Sequence, residues 1–135
     1  MRFPEDLLYS LDHLWLRDQG AGRLVVGLTA YAQERLGRAV FVELPEVGDP
    51  LLRDVDFGMM KSARALADLI SPVNGEAVLV NQALADSPGL VNDDPYGRGW
   101  LLAARLHSGL PPGLMDATQY ESQLGLIPFE RPISG

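Results

Sequence analysis

KSARALADLISPVNGE, residues 61–76, holds a strand-length run, a stop and a turn signal in one short segment. Residues 55–60 (VDFGMM) and 65–70 (ALADLI) read as the two arms of a hairpin, with its tip at residues 62–65. Pro72 ends the second arm, because proline has no N–H to give to a strand ladder. Asn74-Gly75 is a strong turn dipeptide, since both residues tolerate positive φ, and residues 77–80 supply the next strand.

The flanking sequence extends the same pattern. Residues 23–28 (RLVVGL) and 39–44 (AVFVEL) are β-rich runs bounded by Gly and Pro. Between them, residues 29–36 predict a short helix, with Thr29 as N-cap and Gly37 where a helix end favours positive φ. Residues 100–106 predict a further strand. Residues 116–124 predict a C-terminal helix, capped by Asp116 or Thr118, with a Thr118/Glu121 capping box and a stop at Gly125. Trp15, Phe41, Val78, Val80 and Trp100 are expected in the core. The tail IPFERPISG, with two prolines, is expected to pack irregularly or fray. Many short strands with closely spaced turns indicate a mainly β fold, a small sandwich or barrel with short flanking helices. Residues 1–135 are expected to form one domain, without linker or low-complexity segment.

Composition removes several function classes. The formal charge is -7, which argues against nucleic acid and against anionic membranes, both of which need basic patches. No cysteine is present, so disulfides and thiolate metal sites are excluded. His13 and His107 are far apart in sequence, and no metal site is expected. No leader-like segment or long apolar run opens the chain, so a cytoplasmic location is expected. Lys61 is the only lysine, beside ten arginines. Besides the N-terminus, it is the only amine that an acyltransferase could use. No nucleophile–base pair, paired carboxylates or phosphate loop stands out, so no catalytic residue is assigned.

The hairpin resembles that of the glycine cleavage system H protein family of lipoyl carriers, whose pattern there is ESVKAxSDxxxPVSGE. Four further blocks agree in order and spacing. YSLDHLWL (9–16) is similar to YSxxHEWL. Residues 26–48 are similar to VGITxxAQxxLGxxVFVxLPEVG. Residues 80–101 are similar to VNxxLxxxPxLVNxxPYxxGWI, and residues 115–124 to LxDAxxYExxL. The resemblance implies a lipoyl-domain-like barrel/sandwich hybrid. It also implies a non-catalytic carrier that works with glycine decarboxylase, aminomethyltransferase, lipoamide dehydrogenase or lipoate-attachment enzymes.

Two departures fall at the family's functional centre. Anchored on PVNG (72–75), the lipoylated lysine of the pattern falls on Arg64. A guanidinium stays protonated and does not form the amide that holds lipoate. Lys61 is the alternative attachment point, three residues before the tip, where it reads as a solvated edge lysine. The glutamate of HEW, which the resemblance places against the cationic aminomethyl group, is Leu14, while the partner carboxylate is kept as Asp68. Leu14, Asp68, Asp12 and Tyr96 are the candidate cleft residues. Glu43 and Glu46, around Pro45, are candidates for partner docking. No cofactor is expected on this reading, which makes the chain a docking or accessory partner in lipoate and glycine-cleavage metabolism. The alternative is a true lipoyl carrier, modified at Lys61 or at an altered tip residue. It would shuttle aminomethyl groups or serve another lipoate pathway, such as sulfur oxidation or lipoyl transfer.

Overall fold

A computed structural model describes residues 3–126 and 129–133. In chain order the elements are β1 (Leu8–Tyr9), β2 (Leu14–Gly20), β3 (Arg23–Leu28), α1 (Ala30–Leu36), β4 (Ala39–Glu43), β5 (Pro50–Leu51) and β6 (Asp56–Ser62). There follow β7 (Ala65–Ile70), β8 (Gly75–Val80), α2 (Ala83–Asp86), α3 (Leu90–Asp93), β9 (Leu102–Leu106), α4 (Ala117–Ser122) and β10 (Arg131–Pro132). They form two antiparallel sheets, β1-β2-β3-β9-β8-β5 and β10-β7-β6-β4. The fold is thus mainly β, as expected. It is a two-sheet sandwich and not a closed barrel.

Strand alternation builds the core. In β7, Ala65, Ala67 and Leu69 are buried, while Leu66, Asp68 and Ile70 are half-buried on the other face. Leu14 and Leu16 of β2 enter the main core with Met60, Leu69 and Leu102. Trp15, pointing the opposite way, joins Tyr9, Ala117 and Tyr120 in a second cluster. The hairpin pairs Lys61 with Leu66, which leaves Ala63 and Arg64 at the tip, as the sequence predicts.

Several local expectations change. Asn74-Gly75 does not close a hairpin: residues 71–74 carry the chain from one sheet to the other. The Asn74 side chain accepts from the Arg53 amide, and a Cβ on Gly75 would collide with the Arg105 carbonyl. Gly75 therefore serves close strand approach rather than a turn. Phe41 is 49% exposed, because β4 is an edge strand with a register shift between Ala39 and Phe41. Val78, Val80 and Trp100 are half-buried. β6 is bracketed by β4 and β7, so Lys61 is exposed on an interior strand and is not an edge lysine. The α4 capping box is Asp116 with Gln119, because the helix starts one residue after Asp116. The tail does not fray throughout, since Arg131 and Pro132 pair with Leu66 and Ala65 of β7. Ile127, Pro128, Ser134 and Gly135 of that tail lie outside the described residues.

A buried polar chain ties α4 to the first sheet. The Tyr120 hydroxyl lies 2.6 Å from His13 Nδ1 and 2.8 Å from Thr29 Oγ1, and Thr29 Oγ1 also accepts from the Ala32 amide at the start of α1. His13 is 6% exposed, at φ 66°. Burial pushes its pKa down from 6.5 to about 4, against the opposing charge of Glu130.

Two outcomes follow from this packing. Leu14→Ala opens a hole in the main core and costs about 2–5 kcal/mol in urea denaturation at pH 7. His13 is neutral when folded, whereas the unfolded chain takes up its proton near pH 6.5. The stability this contributes is complete above that pH and falls away as the pH drops from 6.5 toward about 4. The loss approaches about 3 kcal/mol. His13→Asn, which tolerates the same backbone conformation, should show a flatter pH dependence of the urea midpoint over that window.

Candidate functional site

The hairpin tip meets the C-terminal end of α1. A helix leaves its last four carbonyls without partners inside the helix. Here all four are bonded. The Gly37 amide, at φ 89°, donates to the Gln33 carbonyl at 2.9 Å. Arg64 Nη2 donates to the carbonyls of Glu34 at 3.1 Å and Arg35 at 2.9 Å, and Arg64 Nε donates to that of Leu36 at 3.3 Å. The Ser62 hydroxyl donates to the same Leu36 carbonyl at 2.6 Å, and Ser62 Oγ accepts from the Ala65 amide. A cation at a helix C-terminus also matches the sign of the helix dipole. The planar fork reaches three carbonyls from two nitrogens held in one plane, a spread that a compact ammonium does not reproduce. Arg64 is exposed by area, yet its charged end is turned back onto its own chain instead of projecting toward a partner.

The candidate cleft residues do not all converge. Asp12 and Asp68 face one small cavity of about 140 Å³, with Leu11, His13, Ile70 and Phe129. Burial first, and then the nearby Asp54 charge, push the Asp12 pKa up. Leu14 is fully buried and does not line this cavity, because its position in β2 points between the sheets. Tyr96 is also elsewhere: its hydroxyl accepts from the Ala30 amide, and its ring packs 6.1 Å from Trp15. The neighbouring Pro95 carbonyl accepts from Trp15 Nε1, so this loop seals the second cluster. Of the four candidate residues, this cavity brings together Asp12 and Asp68 and not Leu14 or Tyr96. Lys61 lies before the tip on the exposed face of β6. Glu43 and Pro45 border a separate shallow hollow with Asp49, Asp56 and Phe57, next to exposed Val40 and Phe41.

Sequence reasoning missed Ser62 and the tail. The spacing of Ser62 and Arg64 across a two-residue tip offered a signal, since both can reach one helix end. For the tail, the alternation in Phe129–Glu130–Arg131 hinted at a short strand. Among the described residues no group of three or more His, Cys, Asp or Glu side chains is placed to hold a metal, and no helix is long and apolar enough to cross a membrane.

Comparisons place this geometry among known proteins. A family model described as glycine cleavage H-protein matches residues 7–125. A glycine cleavage system H protein of Rubrobacter xylanophilus is 47% identical over 121 residues, covering 90% of this chain and 94% of the relative. Its counterpart in Anaeromyxobacter sp. (strain K) is 41% identical over 123 residues, covering 90% and 95%. The crystal structure of a glycine cleavage system H protein from Mycobacterium marinum superposes with a TM-score of 0.83 at 37% identity, covering 91% of this chain and 99% of that one.

The Arg64 contacts carry a stability test. Arg64→Ala leaves the exposed Glu34 and Arg35 carbonyls to water and should lower stability by about 0.5–1 kcal/mol in chemical denaturation. Arg64→Lys keeps the charge but loses the fork, so its loss should fall between wild type and Arg64→Ala. An Arg64→Ala protein as stable as wild type would show that the contacts at the end of α1 contribute nothing.

Proposed function

The chain belongs to the glycine cleavage H-protein family, and from that premise we propose that it is a member that does not carry lipoate and acts instead by docking. The family is one of carriers and not of catalysts. Glycine decarboxylase, aminomethyltransferase, lipoamide dehydrogenase and the lipoate-attachment enzymes are the proposed partners. The observation that carries the reading is the state of position 64. A lipoyl arm needs a primary amine on a free tip. Arg64 offers a guanidinium, and that group is bonded to three carbonyls of α1. The residues present at the tip therefore do not fit lipoate.

Lys61 is a poor substitute. It is three positions before Arg64, and a shift by an odd number moves a side chain to the other face of a regular strand. It also sits within a strand paired on both sides, so a modifying enzyme would have to address a sheet face rather than a turn. The docking half of the proposal is supported by the hollow of about 290 Å³ near Glu43, Asp49 and Asp56. Acidic side chains beside exposed Val40, Phe41 and Val47 suit a partner surface that is basic with apolar contacts. Buried Leu14 provides no carboxylate for a cationic aminomethyl group, so on this reading the cleft lacks that charge as well. Residues 1–135 are proposed to act as one domain.

Co-expression with a lipoate ligase and lipoate tests the reading through intact mass. Wild type should acquire no lipoyl mass. Arg64→Lys should acquire it at least in part, because the hairpin and its PVNG anchor are in place. A lipoyl group found on Lys61 of the wild-type chain would overturn the proposal and establish a carrier with a displaced arm.

A further inference from the structure

The family match ends at residue 125, yet Arg131 and Pro132 join the second sheet and residues 129–133 lie against it. Their contacts follow one another along the β7 edge. The Phe129 ring packs edge-on against His13, with centroids 5.1 Å apart, and helps to close the Asp12/Asp68 cavity. Glu130 Oε1 pairs with Arg35 at 2.8 Å. Arg131 Nη2 donates to Asp68 Oδ1 at 3.3 Å. The Ile133 amide donates to the Arg64 carbonyl at 3.0 Å.

We propose that the β7 edge beside Asp68 is a docking groove for an extended peptide segment with an aromatic residue and an arginine two positions later, and that residues 129–133 occupy it in cis. A partner segment of the same chemistry would gain the groove by displacing the chain's own tail. The groove offers what strand addition requires. β7 is paired with β6 on one side only, so its other edge presents free backbone groups once β10 leaves. Alternate side chains then find separate receptors: the aromatic residue enters the cavity against His13, and the arginine meets Asp68.

The resident segment is held loosely enough to be exchanged. β10 is two residues long, and both are exposed. The Arg35–Glu130 pair is more shielded, at 55% and 19% exposure, whereas the Arg131 and Asp68 side chains keep 60% and 43%. Exposed ion pairs of this kind contribute little. What holds the tail is its tether, which presents the segment at a high effective concentration.

The test uses the full-length ¹⁵N-labelled chain and a capped synthetic peptide, PFERPI, which copies residues 128–133. In wild type, the Ile133 amide should exchange with solvent more slowly than in the free peptide. Exchange at the free-peptide rate would overturn the proposal. The Phe129→Ala/Arg131→Ala chain, checked for native dispersion, should lose that protection. The peptide should then perturb His13, Leu66, Asp68 and Ile70 of this variant at about tenfold lower concentration than in wild type, where the tethered tail competes. Adding Asp68→Asn to the variant should weaken binding again, and the peptide PAEAPI should not bind. Equal midpoints for wild type and variant, or no perturbation of the variant by millimolar peptide, would overturn the proposal. Neither readout involves lipoate, so a failure here leaves the reading of Arg64 untouched, and the reverse also holds.

Discussion

Four carbonyl groups end helix α1, and the chain has to find donors for them. Water can reach this end, since Glu34 and Arg35 are exposed. Here Gly37, Ser62 and Arg64 supply the donors, and each donor comes from an element that thereby becomes fixed. Ser62 ends β6, Arg64 occupies the tip, and Ala65 opens β7 while donating its amide to Ser62 Oγ. The helix end and the hairpin tip are consequently one hydrogen-bonded unit. Because the tail strand pairs with Ala65 and Leu66, a third segment joins the same point. The geometry of the second sheet at this corner follows from satisfying those carbonyls.

The fold was largely legible in the sequence, for physical reasons that vary by element. Residues 23–28 and α1 were read almost to the residue, because strand composition and the Thr29/Gly37 caps act locally. The hairpin tip was fixed by register between two well-defined arms. Asn74-Gly75 misled, because the same dipeptide suits a turn and a tight strand approach, and only the packing of Arg105 distinguishes them. Phe41 misled because a large apolar residue on an edge strand need not face inward.

The site was legible in part. Register puts residue 64 at the hairpin tip, where the structure has it, and residue type gives its charge. Where the guanidinium goes was not legible, because that depends on the distance from the tip to a helix far away in sequence. Leu14 was read as a cleft residue on the strength of a family pattern. Its neighbours show an ordinary core position, with Trp15 taking the opposite face. Asp12 and Asp68 do meet, yet the group that answers Asp68 is Arg131, from a segment no motif covered.

The bonding of Arg64 also bears on engineering. In a chain whose position 64 is a free arm, exchanging one long cationic side chain for another costs the scaffold little. Once the fork is bonded to three helix carbonyls, the reverse exchange withdraws the side-chain donors of the Glu34 and Arg35 carbonyls, while Ser62 still serves that of Leu36. Placing an amine there then means losing part of a cap, and a compensating donor would offset that loss. The order of engineered substitutions matters, because the arginine is part of the scaffold that any new tip would have to stand on.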